Sequence, residues 1–293
     1  MTATAPLRWL AALALIFNAF TWGVSWWPFR QFEAQGLHPL WLTSMTYAAT
    51  VAVLVLAWPG AGRELLRSPA LWVLVLAAGT TNASFNWAVT IGDVVRVVLL
   101  FYLMPLWAVL LARPLLGERI GTRAAVRVGL ALAGALVVLW PQSGHWQSGF
   151  DLPDALALLG GFTFALNNVM LRRQAQHSDA ARALAMFAGG AVVSALLAAA
   201  LTAAGRVPAP LLPAPLWLAG AAAMTVWFLF SNLALQYGAA RLPAHTTSVV
   251  MITEVFFASA SALALGAGQW TLRSAVGGAL IIAAALLAAW QRD

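Results

Sequence analysis

Apolar residues fill almost the whole chain in stretches of about twenty, and short polar breaks separate these stretches. The breaks contain residues that end helices, such as the Pro-Gly at 59–60 and the proline-rich stretch 207–215. About 20 apolar residues form a helix long enough to cross a bilayer, where the backbone must satisfy its own hydrogen bonds. The pattern therefore predicts ten membrane-spanning helices. Their approximate bounds are 8–28, 38–58, 69–91, 94–112, 121–140, 151–171, 182–204, 214–237, 244–265 and 272–290.

The composition agrees with a fold that is all-α, polytopic and embedded in a membrane. Of the 293 residues, 62% are hydrophobic and 9% are charged, and the mean hydropathy is +0.84. A soluble domain carries roughly 25% charged residues. A disordered chain has little apolar surface. Both classes are excluded, and the breaks between stretches are too short to hold a soluble domain.

The basic residues are all arginines, 16 against nine acids, with a net charge of +7. They stand singly or in pairs and form no basic face, so nucleic acid is not an expected partner. Arginine accumulates on the cytoplasmic side of membrane proteins. With ten spans and a cytoplasmic N-terminus, only Arg30, Arg96, Arg206 and Arg273 fall on the far side. We therefore expect both termini in the cytoplasm. The heavy use of Ala, Leu and Arg suggests a bacterial inner-membrane protein.

The two halves of the chain repeat three sequence features in the same order, at offsets of 142 to 149 residues. Asn-x-Ala-x-x-x-Gly occupies 86–92 and 232–238. Phe-Thr followed by Arg occupies 20–30 and 162–172. The spacing from Pro105 to a Leu-Gly pair recurs from Glu254. The repeats would be residues 1–145 and 146–293, each with five spans. Because five is odd, the second repeat inserts upside down, which is the architecture expected of a secondary transporter with a site between the repeats.

Two motifs support a family resemblance. Leu-Gly-Glu at 116–118 ends the fourth span, and Glu254 opens the ninth. With five plus five spans, the chain resembles the EamA family of the drug/metabolite transporter superfamily. Tyr-Leu-Met-Pro at 102–105 is similar to a stretch of the YddG-type aromatic amino-acid exporters within it. The second half departs from the pattern, because Leu-Gly-Ala at 265–267 lacks the acid. The resemblance implies alternating access through a central cavity built by spans 1, 3, 4, 6, 8 and 9.

Glu254 lies in the most apolar surroundings of any acidic residue in the chain. A charge at the centre of a span costs about 2.5–3.5 kcal/mol on insertion scales. Glu254 is therefore a candidate for coupling transport to protons or for binding a substrate amine. The alternatives are a neutral carboxyl that bonds a neighbouring helix, or a position near the end of a shifted span.

Side-chain amides are the second group of candidates. Asn82 and Asn86 lie one turn apart on the third span and share a face. Asn232 repeats Asn86, and the sixth span carries Asn167 and Asn168. These amides either bind the charged groups of an amino acid or link helices across the bundle. We predict substrate contacts for Asn82, Asn86, Asn168 and Asn232.

Aromatic side chains deep in the spans form the third group. Eleven of the 15 tryptophans fall near span ends, as in an interfacial belt. The deeper aromatic residues are Trp22, Trp87, Tyr102, Trp107, Phe164, Trp227 and Phe228. We predict that Trp22, Tyr102, Phe164 and Trp227 line a cavity that stacks on aromatic substrates, against the alternative of packing in the core or facing lipid. Pro105, inside the fourth span, removes one backbone hydrogen bond and is a candidate hinge.

Other function classes lack their motifs. The chain has no cysteine, no H-E-x-x-H, no G-x-S-x-G and no channel filter sequence. We therefore expect a transporter and no enzyme, with neither metal nor cofactor. The predicted function is export of amino acids, preferably aromatic and large neutral ones. The alternative is a multidrug or other small-metabolite efflux carrier. Expected partners are the small-molecule substrate and the lipid bilayer, and the protein is expected as a monomer or a homodimer.

Overall fold

The computed structural model of the chain describes residues 5–116, 122–139, 150–174, 176–210, 215–239, 250–251 and 253–290. Within these residues every regular element is an α-helix. The helices are α1 (Ala5–Val24), α2 (Trp26–Ala34), α3 (Pro39–Ala57), α4 (Pro59–Arg67), α5 (Pro69–Ile91), α6 (Val94–Phe101), α7 (Met104–Leu116), α8 (Thr122–Leu139), α9 (Leu152–Arg173), α10 (Asp179–Ala203), α11 (Pro215–Ala239), α12 (Thr253–Ala264) and α13 (Leu272–Trp290).

The helices follow the predicted spans closely in most of the described chain. Helices α3, α5 and α13 begin and end within one residue of the predicted bounds. Among the described residues, five helical segments are long and apolar enough to cross a membrane. These are Trp9–Ala34, Pro39–Ala57, Leu152–Leu171, Asp179–Ala203 and Leu218–Leu235. The described chain is thus all-helical with several apolar helices, as in a polytopic membrane protein. The start of the predicted ninth span and most of the motif at 116–118 lie outside the described residues.

The first predicted span extends further than expected, to Ala34, and it breaks at Ser25. The Ser25 hydroxyl donates to the Trp22 carbonyl at 2.9 Å, and α2 starts at the next residue. Pro28 then lies in the first turn of α2. Backbone N–H groups in the first turn have no partner within the helix, so a proline there costs no helical hydrogen bond. The sequence suggested an end near residue 28, because Arg30 and Glu33 look unsuited to a span.

The fourth predicted span, 94–112, is divided into α6 and α7 by a turn at Tyr102 and Leu103. Pro105 is the second residue of α7 and does not lie inside one continuous helix. The expected break therefore falls about three residues earlier. The Phe101 carbonyl at this break packs against α9, where a Cβ atom added to Gly161 would lie 2.6 Å from its oxygen. The hinge role of Pro105 stays a prediction.

Helix α4 was not predicted, because its charged residues suggested a loop. Its apolar side chains Ala61 and Leu65 are buried, while Glu64 points to the start of α10. The Glu64 carboxylate accepts bonds from the Ser178 N–H at 3.0 Å and the Ser178 hydroxyl at 2.6 Å, and lies 2.8 Å from His177 Nδ1. Ser178 in turn caps α10. We call these three residues the clasp.

The bundle is held together by contacts between helices that are far apart in sequence. Helix α5 packs against α9 and α10, α3 against α10, α8 against α13, and α1 against α11 and α12. Small residues permit the closest of these crossings. A Cβ atom added to Gly189 in α10 would lie 2.0 Å from the Val75 carbonyl oxygen in α5. Such close approach is typical of helix pairs in membranes, where dispersion contacts and hydrogen bonds replace the hydrophobic drive.

We predict that Glu64→Gln destabilises the protein at neutral pH and has little effect in acid. Hydrogen bonds from Ser178, and then from His177, lower the pKa of Glu64 below its ordinary 4.5. A carboxyl with a lowered folded-state pKa stabilises the fold above its unfolded pKa, and this stabilisation disappears as the pH falls through the folded value. The loss should be at most about 1 kcal/mol, since the carboxylate is partly exposed.

Thermal unfolding in detergent at neutral pH and at pH about 3, below the ordinary pKa of glutamate, checks this prediction. Asp179→Asn, on an exposed carboxylate that pairs with Arg182 on its own helix, is the matched control. An equal difference between wild type and Glu64→Gln at both pH values would contradict a role for the ionised clasp.

Candidate functional site

Buried polar side chains run through the middle of the bundle, and most of them bond across helices. Thr81 on α5 donates to Thr163 on α9 at 2.9 Å, and Asn18 on α1 donates to Ser231 on α11 at 2.8 Å. A polar group buried in an apolar interior is costly unless it is paired. These pairs therefore hold particular helices in register, and they mark the polar part of the interior.

Tyr102 and Glu254 form the most buried pair that includes an acid. The Tyr102 hydroxyl lies 3.0 Å from Glu254 Oε2 and 3.0 Å from the Met251 carbonyl oxygen. The two side chains are 2% and 7% exposed. Tyr102 reaches α12 because α6 ends at Phe101 and the chain turns there. The hydroxyl has one proton and donates to one of the two oxygens at a time, and it can accept a bond from Glu254 when that carboxyl group is protonated.

Helix α1 backs this pair closely. A Cβ atom added to Gly23 would lie 2.9 Å from the Glu254 carbonyl oxygen. The segment that carries Glu254 is thus pressed between α1 and the turn after α6. A change in the position of α1 would therefore move the backbone that carries Glu254.

Asn82 is joined to an aromatic cluster. The Tyr47 hydroxyl donates to Asn82 Oδ1 at 2.7 Å, and Asn82 Nδ2 donates to the Ala78 carbonyl at 2.7 Å. Tyr47 is 2% exposed, and its ring meets Phe187 and Phe228 edge-on. Both ends of the Asn82 amide are therefore already paired within the protein.

Asn86, one turn along α5, is fully buried. Its Nδ2 donates to Thr43 Oγ1 at 3.0 Å, while its Oδ1 has no hydrogen-bond partner in the described part of the chain. Asn167 Oδ1 on α9 is in the same condition. An unpaired buried carbonyl oxygen can accept a bond from an ammonium or hydroxyl group. The sequence predicted substrate contacts for both Asn82 and Asn86, and the geometry leaves Asn86 with the unused acceptor.

Two aromatic clusters flank these polar groups. In the first cluster, Phe228 stacks on Trp22 with ring centroids 5.1 Å apart, on Trp227 at 6.1 Å and on Phe29 at 6.4 Å. The second cluster joins Phe101 to Phe85 at 4.7 Å, to Phe164 at 5.4 Å and to Tyr102 at 6.2 Å. The four predicted aromatic residues thus fall two to each cluster. Tyr47, Phe85 and Phe101 were missed, because nothing in an almost wholly apolar helix fixes which residues face inward.

The remaining predicted residues take no part in these contacts. Asn168 is exposed, whereas its neighbour Asn167 is buried at 2% exposure. Asn232 is half-buried and engaged in a polar interaction. Their roles in substrate binding stay predictions.

A cavity of about 520 Å³ opens at the end of the bundle that is opposite the clasp. Its polar lining comes from Arg30, Glu33, Thr90, Asp93 and Gln269. Helix α5 runs from the clasp end to this end and is about 35 Å long at 1.5 Å per residue. The sequence treated Arg30 as a marker of orientation and as part of the internal repeat, not as a residue of a site.

An ion pair between distant parts of the chain stabilises the cavity end. Arg96 donates to both Asp154 oxygens, at 2.7 and 2.8 Å, and Asp154 is 3% exposed. The Asp93 carboxylate accepts from the N–H groups of Arg96 and Gln269. Both acids are therefore occupied in holding α6 against α9 and against the α12–α13 connection. In the described part of the chain, no group of three or more potential metal ligands is present.

We predict that Tyr47 and Asn82 are energetically coupled. Tyr47→Phe leaves Asn82 Oδ1 unpaired and should cost about 1–3 kcal/mol. The double variant with Asn82→Ala should then lose less stability than the two single losses combined. Unfolding in mixed micelles measures the cycle, and Tyr47→Phe with Thr163→Val is the control pair. Additive losses in the Tyr47 and Asn82 cycle would show that the bond contributes nothing.

The chain is similar to known proteins both in sequence and in fold. Residues 9–140 match the EamA-like transporter family. A Pseudomonas aeruginosa protein named uncharacterized transporter PA0485 is 37% identical over 95 residues. The aligned segment covers 30% of this chain and 32% of that protein, so the match spans about a third of the relative's length.

One solved structure, titled only as the crystal structure of a protein, is similar over almost the entire chain. The TM-score is 0.59 at 21% sequence identity, and the alignment covers 98% of this chain and 97% of the other. At this identity the likeness concerns the fold. The chain thus shares the fold of that protein, and its first half, over residues 9–140, is similar to the EamA-like transporter family.

Proposed function

We propose that this protein is a transporter of the bacterial inner membrane that exports amino acids, preferably aromatic and large neutral ones. Transport would proceed by alternating access between two inverted repeats, residues 1–145 and 146–293, with both termini in the cytoplasm. The observation that carries the proposal is that contacts between the halves recur at equivalent positions when the halves are exchanged.

Two glycine contacts illustrate this exchange. A Cβ atom added to Gly92 would lie 2.6 Å from Pro153 Cβ, and one added to Gly238 would lie 2.8 Å from the Ala11 carbonyl oxygen. Gly92 and Gly238 are 146 residues apart, and Ala11 and Pro153 are 142 apart. These are offsets at which the sequence motifs repeat. Each glycine therefore ends a span against the start of a span from the other half.

A second pair of contacts behaves in the same way. Gly79 on α5 packs against Gly189 on α10. Thr225 on α11 lies 3.3 Å from the Thr46 carbonyl oxygen on α3. The offsets are 146 and 143 residues. Chance similarity in an Ala- and Leu-rich chain does not account for equivalent contacts at equivalent offsets, so this pairing supports the inverted repeat.

Inverted repeats provide the physical basis for alternating access. If each half has its own conformation, exchanging the two conformations yields a second state that is open on the opposite side. In the present arrangement a cavity opens at one end while the clasp joins α4 to the start of α10 at the other. Opening the clasp and closing the cavity would move a solute past the buried polar groups.

The substrate class follows from what those groups can bind. Two aromatic clusters offer flat surfaces for stacking, and the amide of Asn86 offers an unused acceptor. Glu254 is a single acid among them, suited to an ammonium group or a proton. A nucleotide would need several basic groups in the middle of the bundle, and the described interior there carries amides and aromatic rings. A large neutral amino acid matches this chemistry best.

We predict that Glu254→Gln abolishes any dependence of the transport rate on pH, because glutamine keeps the shape of the side chain and cannot take up a proton. The assay is counterflow of labelled phenylalanine in proteoliposomes over a pH series, with Asp179→Asn as the control. A pH dependence unchanged in Glu254→Gln would remove this residue from the coupling mechanism.

Competition in the same assay separates the two candidate functions. Saturable phenylalanine exchange that tryptophan and tyrosine block, and cationic dyes do not, is the expected result. Exchange of dyes without exchange of phenylalanine would assign the protein to multidrug efflux, the alternative that an acid among aromatic rings also fits.

A further inference from the structure

Arg30 stands in the cavity as a fixed guanidinium group. Its Nε donates to the Val89 carbonyl at 3.2 Å, its Nη2 donates to the Gly92 carbonyl, and its Cζ lies 5.2 Å from the centre of the Trp26 ring. The two carbonyl groups belong to the last turn of α5 and the residue after it. Three contacts on different sides of the group determine its plane, which is the preorganisation that recognition of a planar anion requires.

The Trp26 ring is itself held in place. Its Nε1 donates to Ser261 Oγ on α12 at 2.9 Å, and the side chain is 3% exposed. The position of Arg30 is therefore set jointly by α2, α5 and α12. Both halves of the chain therefore contribute to the orientation of the guanidinium group.

The guanidinium keeps N–H donors that no hydrogen bond to the described residues uses. Arginine has five N–H groups, of which the carbonyl bonds take two. Arg30 is absent from the ion pairs of the described residues, although the charges of Asp93 and Glu33 act on it from nearby. The nearby Asp93 carboxylate already accepts two backbone N–H groups. A half-buried cation with free donors beside a cavity is suited to a carboxylate.

The rest of the cavity matches the other parts of an amino acid. Glu33, three residues along α2, is half-buried on the same cavity wall. Ile91 and Ala267 add apolar surface, and the volume of about 520 Å³ falls in the range of small-molecule sites. Cationic, anionic and apolar groups thus line a single cavity.

We propose that this cavity binds the charged end of an amino acid, with Arg30 receiving the α-carboxylate and Glu33 the α-ammonium group. The site lies at the end of the bundle opposite the clasp, separate from the buried pair of Tyr102 and Glu254. In the exporter proposed above, on which this inference rests, it is where substrate is held before release to the outside. It selects for amino acids over molecules that carry only one of the two charges.

The test is binding of labelled phenylalanine to the purified protein, with 3-phenylpropionate and 2-phenylethylamine as competitors. The first competitor keeps the carboxylate alone and the second keeps the amine alone. Arg30→Gln should weaken phenylalanine binding at least about tenfold, as expected for the loss of a charged hydrogen-bond pair, and should leave 2-phenylethylamine unaffected. Arg30→Lys should lie between, because lysine keeps the charge and loses the planar fork.

Two further variants supply a control and a second test of the cavity site. Arg206→Gln removes an exposed arginine outside the cavity at the same end and should bind like wild type. Glu33→Gln should weaken phenylalanine and spare 3-phenylpropionate, and it decides the matter if Arg30→Gln fails to fold. If Arg30→Gln binds phenylalanine with wild-type affinity, the cavity site is overturned while amino-acid transport stays intact. If Arg30→Gln does not fold, wild-type affinity for phenylalanine in Glu33→Gln has the same consequence. A wild-type protein that neither binds nor exchanges phenylalanine would instead refute the proposed function.

Discussion

Close contact between helices from different halves of the chain is the constraint on which the rest of this structure depends. Gly79 meets Gly189, and Gly134 on α8 meets Gly277 on α13, with no side chain between the backbones. In a membrane the helices gain little from excluding water, so contact at short range and paired polar groups must hold them together. A larger residue at such a crossing would push apart two helices that are more than a hundred residues apart in sequence.

The same close contacts bring together the polar side chains of the candidate site. Because α1 approaches α12 at Gly23, and α6 ends against α9 at Gly161, Tyr102 reaches Glu254 across the interface between the halves. The carboxyl group is thus bounded by elements of both halves. A relative movement of the halves would change its surroundings, which is what coupling between a proton and a conformational change requires.

Much of the architecture could be predicted from sequence, because the thickness of a bilayer fixes the length of an apolar helix. The ends of α3, α5 and α13 follow from proline, glycine and charge. Helix α4 could not be predicted, since nine residues with three charges resemble a loop until α10 covers Ala61 and Leu65.

The orientation of side chains was harder to predict than the helices. A helix that is apolar on every face has no pattern that fixes its rotation, so nothing in the sequence supported the choice of Asn168, which is exposed, over the buried Asn167. Arg30 was hidden for another reason. A single arginine near the end of a span usually marks orientation, and the carbonyl groups that hold it come from residues 59 and 62 positions later. Only the folded arrangement shows that it lines a cavity.

Alternating access is tested most directly by locking the clasp. The chain contains no cysteine, so Glu64→Cys with Ser178→Cys introduces a single cross-linkable pair. A short, reducible methanethiosulfonate cross-linker should stop phenylalanine counterflow in proteoliposomes, and reduction should restore it, while each single-cysteine variant stays active throughout. Undiminished counterflow in the fully cross-linked protein would contradict the account, because the clasp end would then not need to open.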